Sequence, residues 1–241
     1  MEVVIEIIRC GCNYILWSLP LFLVLAVAYV WLKPPKFLFR KLLHITAFTG
    51  MVFMNAKANV WYDTVICLCI GAVATYGILT FMEQLSFYED FFVEKSSGEV
   101  KKNLFGVFVT AAGLDLVLYL LTGEKKLFDL VILTWGFGDA MAALVGIPFG
   151  RHRIPLKGGE KSWEGSVAFF VTASLIVFLY GVRFFPMDYF SFPFGKTMVP
   201  VGMVAVTCGL FGTFGELFSK KGWDNIIVPL TIMVSILIFK I

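Results

Sequence analysis

Eight apolar runs parted by short polar connections constrain this chain more than any other feature. They are Tyr14 to Leu32, Leu42 to Met54, Val60 to Phe81, Leu104 to Leu121, Leu127 to Val145, Trp163 to Val182, Met198 to Phe218 and Ile226 to Phe239. A run of about 20 apolar residues, coiled as a helix, matches the hydrocarbon thickness of a bilayer. No water reaches that layer, so each backbone N–H and C=O must be satisfied within its own segment, which a helix achieves and an open strand does not. The chain is 59% hydrophobic and 15% charged, with a mean hydropathy of +0.85, which sets it apart from an ordinary soluble domain. The predicted class is an all-α integral membrane protein, a bundle of seven or eight transmembrane helices with one amphipathic surface helix. The second and eighth runs fall short of a full crossing, hence the two counts. Spans and connections use up residues 1–241, so a single polytopic domain is expected. Ala26-Val27-Ala28 resembles a signal-peptide cleavage site, but the first turns are not basic and the apolar run continues to Leu32, which reads as an uncleaved span.

The distribution of cations orients the bundle. With eight crossings, the odd-numbered connections hold thirteen lysines and arginines against seven elsewhere, which places them in the cytoplasm. A formal net charge of +3 is too small and too scattered for a nucleic-acid partner. Cys10, Cys12, Cys67, Cys69 and Cys208 fit neither zinc nor thioredoxin spacings and read as buried thiols. In the long third connection Leu85, Tyr88 and Phe92 recur at helical spacing with acids between them, the pattern of an amphipathic helix lying on the membrane surface.

Ionisable residues inside the apolar runs are costly and point to function or to a partner. Asp139 is followed by Ala142, Ala143 and Gly146, and Glu216 is preceded by Gly209, Gly212 and Thr213, so each acid sits on a helix face that lets a second helix or a ligand approach closely. The predicted topology brings ten polar residues to one face: Arg40, Lys41, His44, Asp139, Lys157, Lys161, Glu164, Glu216, Asp224 and Asn225. The stretch Lys157 to Glu164 reads as a loop closing onto a helix, with Ser162 as N-cap and Glu164 in the first turn. Capping and the helix dipole account for Ser162 and Glu164, whereas a lysine at a helix start calls for an anion, most simply a phosphate. The run is not a Walker A loop, because Glu160 stands where glycine is needed, and Gly136-x-Gly138 lacks the third glycine of a dinucleotide fingerprint. Asp224-Asn225 also suits an N-cap, and Arg40 and Lys41 suit membrane-edge anchors. Asp115 lies towards the opposite face, with a local partner expected.

An ordered set of these pieces resembles the polyprenol kinase family, which includes dolichol kinases, phytol kinases and CTP-dependent diacylglycerol kinases. The pieces are Arg40-Lys41-x-x-His44, Gly138-Asp139 with Ala142 and Gly146, Phe149-Gly150-Arg151, Lys161-Ser162-x-Glu164-Gly165-Ser166, Glu216, and Asp224-Asn225 followed by Val228-Pro229. The middle piece is also similar to phosphatidate cytidylyltransferases. Those end in a different Gly- and Asp-rich signature, and the Asp-Asn-x-x-Val-Pro ending here favours the kinase branch.

The resemblance implies transfer of a phosphoryl group from a nucleoside triphosphate, typically CTP, to the hydroxyl of a membrane lipid alcohol, with Mg²⁺. Asp139, Lys161, Glu164, Glu216 and Asp224 are then the catalytic candidates, with Asp139 and Asp224 on the metal and Glu164 or Glu216 as base or orienter. Arg151, Lys157, Lys161, Ser162 and Asn225 would bind the nucleotide, and Arg40, Lys41, His44, Gly138 and Gly146 would line the cavity. Such an enzyme works against the bilayer with its active site towards the cytoplasm. The short chain without a retention signal favours a bacterial or archaeal plasma membrane over the endoplasmic reticulum. The alternatives are a cytidylyltransferase and, more remotely, a transporter relaying ions through its acids, although no inverted repeat is visible.

Overall fold

The computed structural model describes residues 2–84, 88, 98–155, 161–191, 198–220 and 222–240. Among them eight helices follow one another: α1 (Glu2–Leu32), α2 (Lys36–Lys57), α3 (Trp61–Met82), α4 (Glu99–Thr122), α5 (Lys126–Phe149), α6 (Trp163–Phe184), α7 (Val201–Phe218) and α8 (Asp224–Leu237). The first seven are long and apolar enough to cross a membrane. The protein is an all-α integral membrane bundle. The surface helix expected around Leu85 to Phe92 lies outside the described residues, apart from a buried Tyr88.

α1 and α2 outrun their apolar runs by the most. α2 extends from Lys36 to Lys57, because Pro35 stops any earlier turn and polar residues continue the helix at both ends. That length makes it a full crossing. α1 begins at Glu2, and Glu6 offsets its own charge through an ion pair with Arg9 one turn on and a hydrogen bond from Asn59 Nδ2 (2.9 Å). α8 is short, 14 residues, or about 21 Å of helix. Between α4 and α5 the chain turns at Gly123, whose φ of 69° suits glycine best and whose N–H caps Tyr119 O.

α5 is the axis of the bundle. Leu127, Phe128, Leu130, Val131, Ile132 and Trp135 are all buried, so its first half is enclosed rather than facing lipid on one side. α6 and α2 pack on it, α7 on α6, α8 on α7, and α4 with α3 on the other flank. α1 packs on α2 and keeps most of its apolar surface outward, as a lipid-facing helix does.

Candidate functional site

Asp139 lies in the last third of α5, and α2 is brought to it by an aromatic key. The Phe48 ring meets Trp135 edge-on at 4.5 Å, and a Cβ placed at Gly136 would lie 2.6 Å from that ring, so only glycine there lets α2 come this close. Counting back along α2 from Phe48, His44 is one turn away and Lys41 two, on the same face. Lys41 Nζ therefore donates to Asp139 Oδ2 at 2.6 Å, and His44 Nε2 stands 3.4 Å from the same oxygen while its ring stacks on Phe48.

The other half of the site is built on small residues. α6 crosses α5 where a Cβ on Gly165 would lie 2.8 Å from Ala142 O and 3.2 Å from Gly146 Cα. One turn further along the same face of α6 the buried Phe169 ring is a wedge: a Cβ on Gly138 would lie 2.9 Å from it and one on Gly212 2.7 Å. Gly215 in turn admits Thr231 of α8. These approaches draw α5, α6, α7 and α8 together below their polar ends. Lys161, just ahead of α6, then reaches α7, with Nζ 3.2 Å from Glu216 Oε1 and donating to Ser219 Oγ at 3.2 Å. Glu216 Oε2 is buried and has no hydrogen-bond partner. Asp224 opens α8 and accepts from Asn225 N at 3.1 Å. Asp139, Glu216 and Asp224 lie within electrostatic reach of one another, and Lys161 acts on both Glu216 and Asp224 while Lys41 acts on Asp139 and Asp224. Five side chains from four helices and a loop thus form one charged cluster.

Not every expected residue joins it in the expected way. At Gly138 an added Cβ would meet Phe169, and at Gly146 Ser162 and Gly165, so both are positions of close helix contact. Ser162 is buried and caps α6 by accepting from Gly165 N at 3.2 Å, so the reading as an N-cap holds. Glu164 accepts from the backbone N–H groups of Arg151 and His152 at 3.2 Å and pairs with the His152 ring at 2.8 Å, which makes it the anchor of this loop rather than a free base. The loop is further closed by Ile154 N donating to Lys161 O at 3.0 Å and Trp163 N donating to His152 O at 3.0 Å. Arg151 and Arg40 are exposed at the edge, and Arg40 is close enough to act on Asp139. Lys157 lies outside the described residues.

Among the described residues no three His, Cys, Asp or Glu side chains converge on one metal position. A site closed by protein ligands alone is therefore absent there. Mg²⁺ in nucleotide sites, however, is held by one or two carboxylates and completed by phosphates and water. Two neighbouring acids, Asp139 and Asp224, beside a buried Glu216 oxygen with no partner, fit that mode.

A second polar cluster near the opposite end of α5 went unread. Asp129 accepts from Asn55 Nδ2 at 2.8 Å and from Tyr180 Oη at 3.1 Å, and Asn55 in turn accepts from Thr64 at 3.0 Å. Asp115 was expected to have a local partner, yet both its oxygens are buried without a hydrogen bond, facing the charges of Asp129 and Lys125. The available signals were Asn55 inside a helix and Asp129 ten residues before Asp139.

Over 99 residues the chain is 37% identical to phytol kinase of Synechocystis sp., a match that covers 41% of this chain and 38% of that protein. No family model and no solved structure matches.

Proposed function

Membership of the polyprenol and phytol kinase family, supported by the ordered motifs and by the likeness to phytol kinase, is the premise from which we propose that this protein is a lipid-alcohol kinase. It transfers the γ-phosphoryl group of a nucleoside triphosphate, CTP by the family resemblance, to the hydroxyl of a membrane lipid alcohol such as phytol, a polyprenol or diacylglycerol. The reaction takes place at the membrane face where Asp139, Glu216 and Asp224 meet Lys41 and Lys161. One observation carries the reading: acids and lysines far apart in sequence share one cluster, and a buried Glu216 oxygen in it has no partner.

Each residue then has a task that phosphoryl transfer requires. The lipid oxygen attacks the γ-phosphorus, a new O–P bond forms, the bond to the β–γ bridging oxygen breaks, and the nucleoside diphosphate leaves. Glu216 takes the hydroxyl proton, with Lys161 beside it to orient the carboxylate and to meet phosphate oxygens. Asp139 and Asp224 would hold Mg²⁺, which would supply neutralisation of charge on the phosphates. Lys41 holds the Asp139 carboxylate in one orientation, with the His44 ring beside it. Arg151 and Lys157 meet phosphates, Glu164 holds the backbone at Arg151 and His152, and Asn225 adds a polar contact beside Asp224. The seven long apolar helices suit a substrate that never leaves the bilayer.

The test uses the purified protein in detergent with phytol and CTP labelled at the γ-phosphate. A kinase leaves that label on the lipid. Label released in pyrophosphate, from a phosphatidate substrate that gains cytidine, would assign the chain to the cytidylyltransferases instead.

A further inference from the structure

The five cysteines, expected to be buried thiols, divide in the structure. Cys10 on α1 and Cys208 on α7 are buried, Cys67 on α3 is half-buried, and Cys12 and Cys69 are exposed. Cys67 lies against one stripe of α1. Its thiol donates to Ile7 O at 3.2 Å, it is hydrogen-bonded to the Gly11 backbone, and it accepts from the Cys10 thiol. Residues 7, 10 and 11 share one face of a helix, so the first cysteine of each C-x-C pair meets the other across the α1/α3 contact. Both stand at the end of the bundle away from the charged cluster. α2 begins near that cluster, where Lys41 meets Asp139, and runs to Lys57 at the other end, where Asn59 donates to Glu6 near the start of α1. Cys10 is one turn beyond Glu6, and Cys67 is about 9 Å along α3 from Trp61.

α1 keeps most of its apolar surface outward and packs on α2 and α3 alone by more than a few residues. We infer that Cys10 and Cys67 are a disulfide-forming pair that staples α1 to α3, closing a loop that contains all of α2. As thiols they contribute one weak S–H hydrogen bond. Joined, they take away the freedom of a peripheral helix to leave the bundle. On the kinase reading the nucleotide is met in the cytoplasm, so the two sulfurs lie towards the external side, where disulfides form and persist. That placement rests on the kinase reading, whereas the contact between the thiols does not. The oxidant is a second disulfide, small or protein-borne. Cys67 Sγ, the more exposed, attacks one of its sulfurs, and the oxidant's S–S bond breaks to release a first thiol. Cys10 Sγ then attacks Cys67 Sγ, the Cys10–Cys67 bond forms, and the rest of the oxidant leaves as a second thiol. The two cysteines give up two electrons and two protons, and the oxidant takes both.

The experiment has two readouts on the full chain, purified in detergent without reductant. First, the protein, as isolated and after incubation with oxidised glutathione, is unfolded in N-ethylmaleimide so that every free thiol is capped, then cleaved and mapped by mass spectrometry. A peptide pair joining Cys10 to Cys67, with Cys12 and Cys69 capped, supports the proposal in either sample. Capping of both Cys10 and Cys67 in both samples, or linkage of either to another cysteine, overturns it. Second, dithiothreitol lowers the thermal transition of the oxidised wild type by about 5 °C or more. Cys10→Ser and Cys67→Ser no longer respond to dithiothreitol, and Cys12→Ser still does. A wild-type transition that dithiothreitol does not move, or one that it moves equally in Cys10→Ser, contradicts the staple. Neither readout depends on turnover: a linked protein that phosphorylates no alcohol would remove the kinase reading and keep the link, and an active kinase with both thiols capped would do the reverse.

Discussion

Asp129 and Asp139 lie on the same helix, about 15 Å apart along its axis, and their surroundings differ in kind. Asp129 is held by neutral donors, the Asn55 amide and the Tyr180 hydroxyl, which tie α2 and α6 to α5. Asp139 is held by a lysine with a histidine beside it, and it shares its field with two more acids. The Asp129 oxygens are met by neutral groups from the helices packed around it. Asp115 beside Asp129 also has both oxygens buried without a hydrogen bond, so the Asp139 end differs by its direct lysine contacts, Lys41 on Asp139 and Lys161 on Glu216, which suit phosphate and metal. An acid in a spanning helix is therefore informative through the company it keeps.

That contrast can be broken in several ways. The largest effect is expected of Asp139→Asn, which should lower lipid phosphorylation about 100-fold or more, while Asp129→Asn keeps activity within about tenfold and lowers the thermal transition in detergent. Next comes Lys161→Met. It leaves Glu216 without its cation, and nucleotide KM should rise by about tenfold or more, the loss of a charge-assisted contact. A smaller loss follows from packing alone. Gly165→Val pushes against Ala142 O, an unyielding backbone atom, and should cost about 1–3 kcal/mol of stability with activity falling in step, as the α5/α6 crossing spreads. The smallest is Tyr180→Phe, which removes one hydrogen bond to Asp129 at a cost of about 1 kcal/mol, read as a lower melting temperature at unchanged KM. If Tyr180→Phe or Asp129→Asn instead abolished turnover with the fold intact, the division between a structural end and a reactive end would be wrong.

The helices were legible because a bilayer leaves the backbone no other choice, and apolar runs of the right length say so directly. Their ends were less so. Lys36 and Lys57 lie outside the second apolar run but inside α2, since the helix continues into the membrane edge where polar side chains are solvated. In the site, Lys41 and His44 could be read together from their spacing, and Ser162 from its place before α6. The Lys161 to Glu216 pair joins residues 55 apart and rests on how Gly212 and Gly138 clasp Phe169, a fit between three helices that no local pattern encodes. Glu164 could be read as a first-turn acid from its place after Ser162, but its bonds to Arg151 N and His152 N reach back across the preceding loop, which the sequence pattern does not encode. Asp129 escaped notice because partners such as Tyr180 and Asn55 are ordinary residues until the fold turns them inward.

The most direct test of the account sets Asp139→Asn against Asp129→Asn in one assay, the transfer of γ-label from CTP to phytol by equal amounts of folded protein. The account predicts label on the lipid with Asp129→Asn and none above background with Asp139→Asn. Equal transfer by both variants, or loss only with Asp129→Asn, would contradict it.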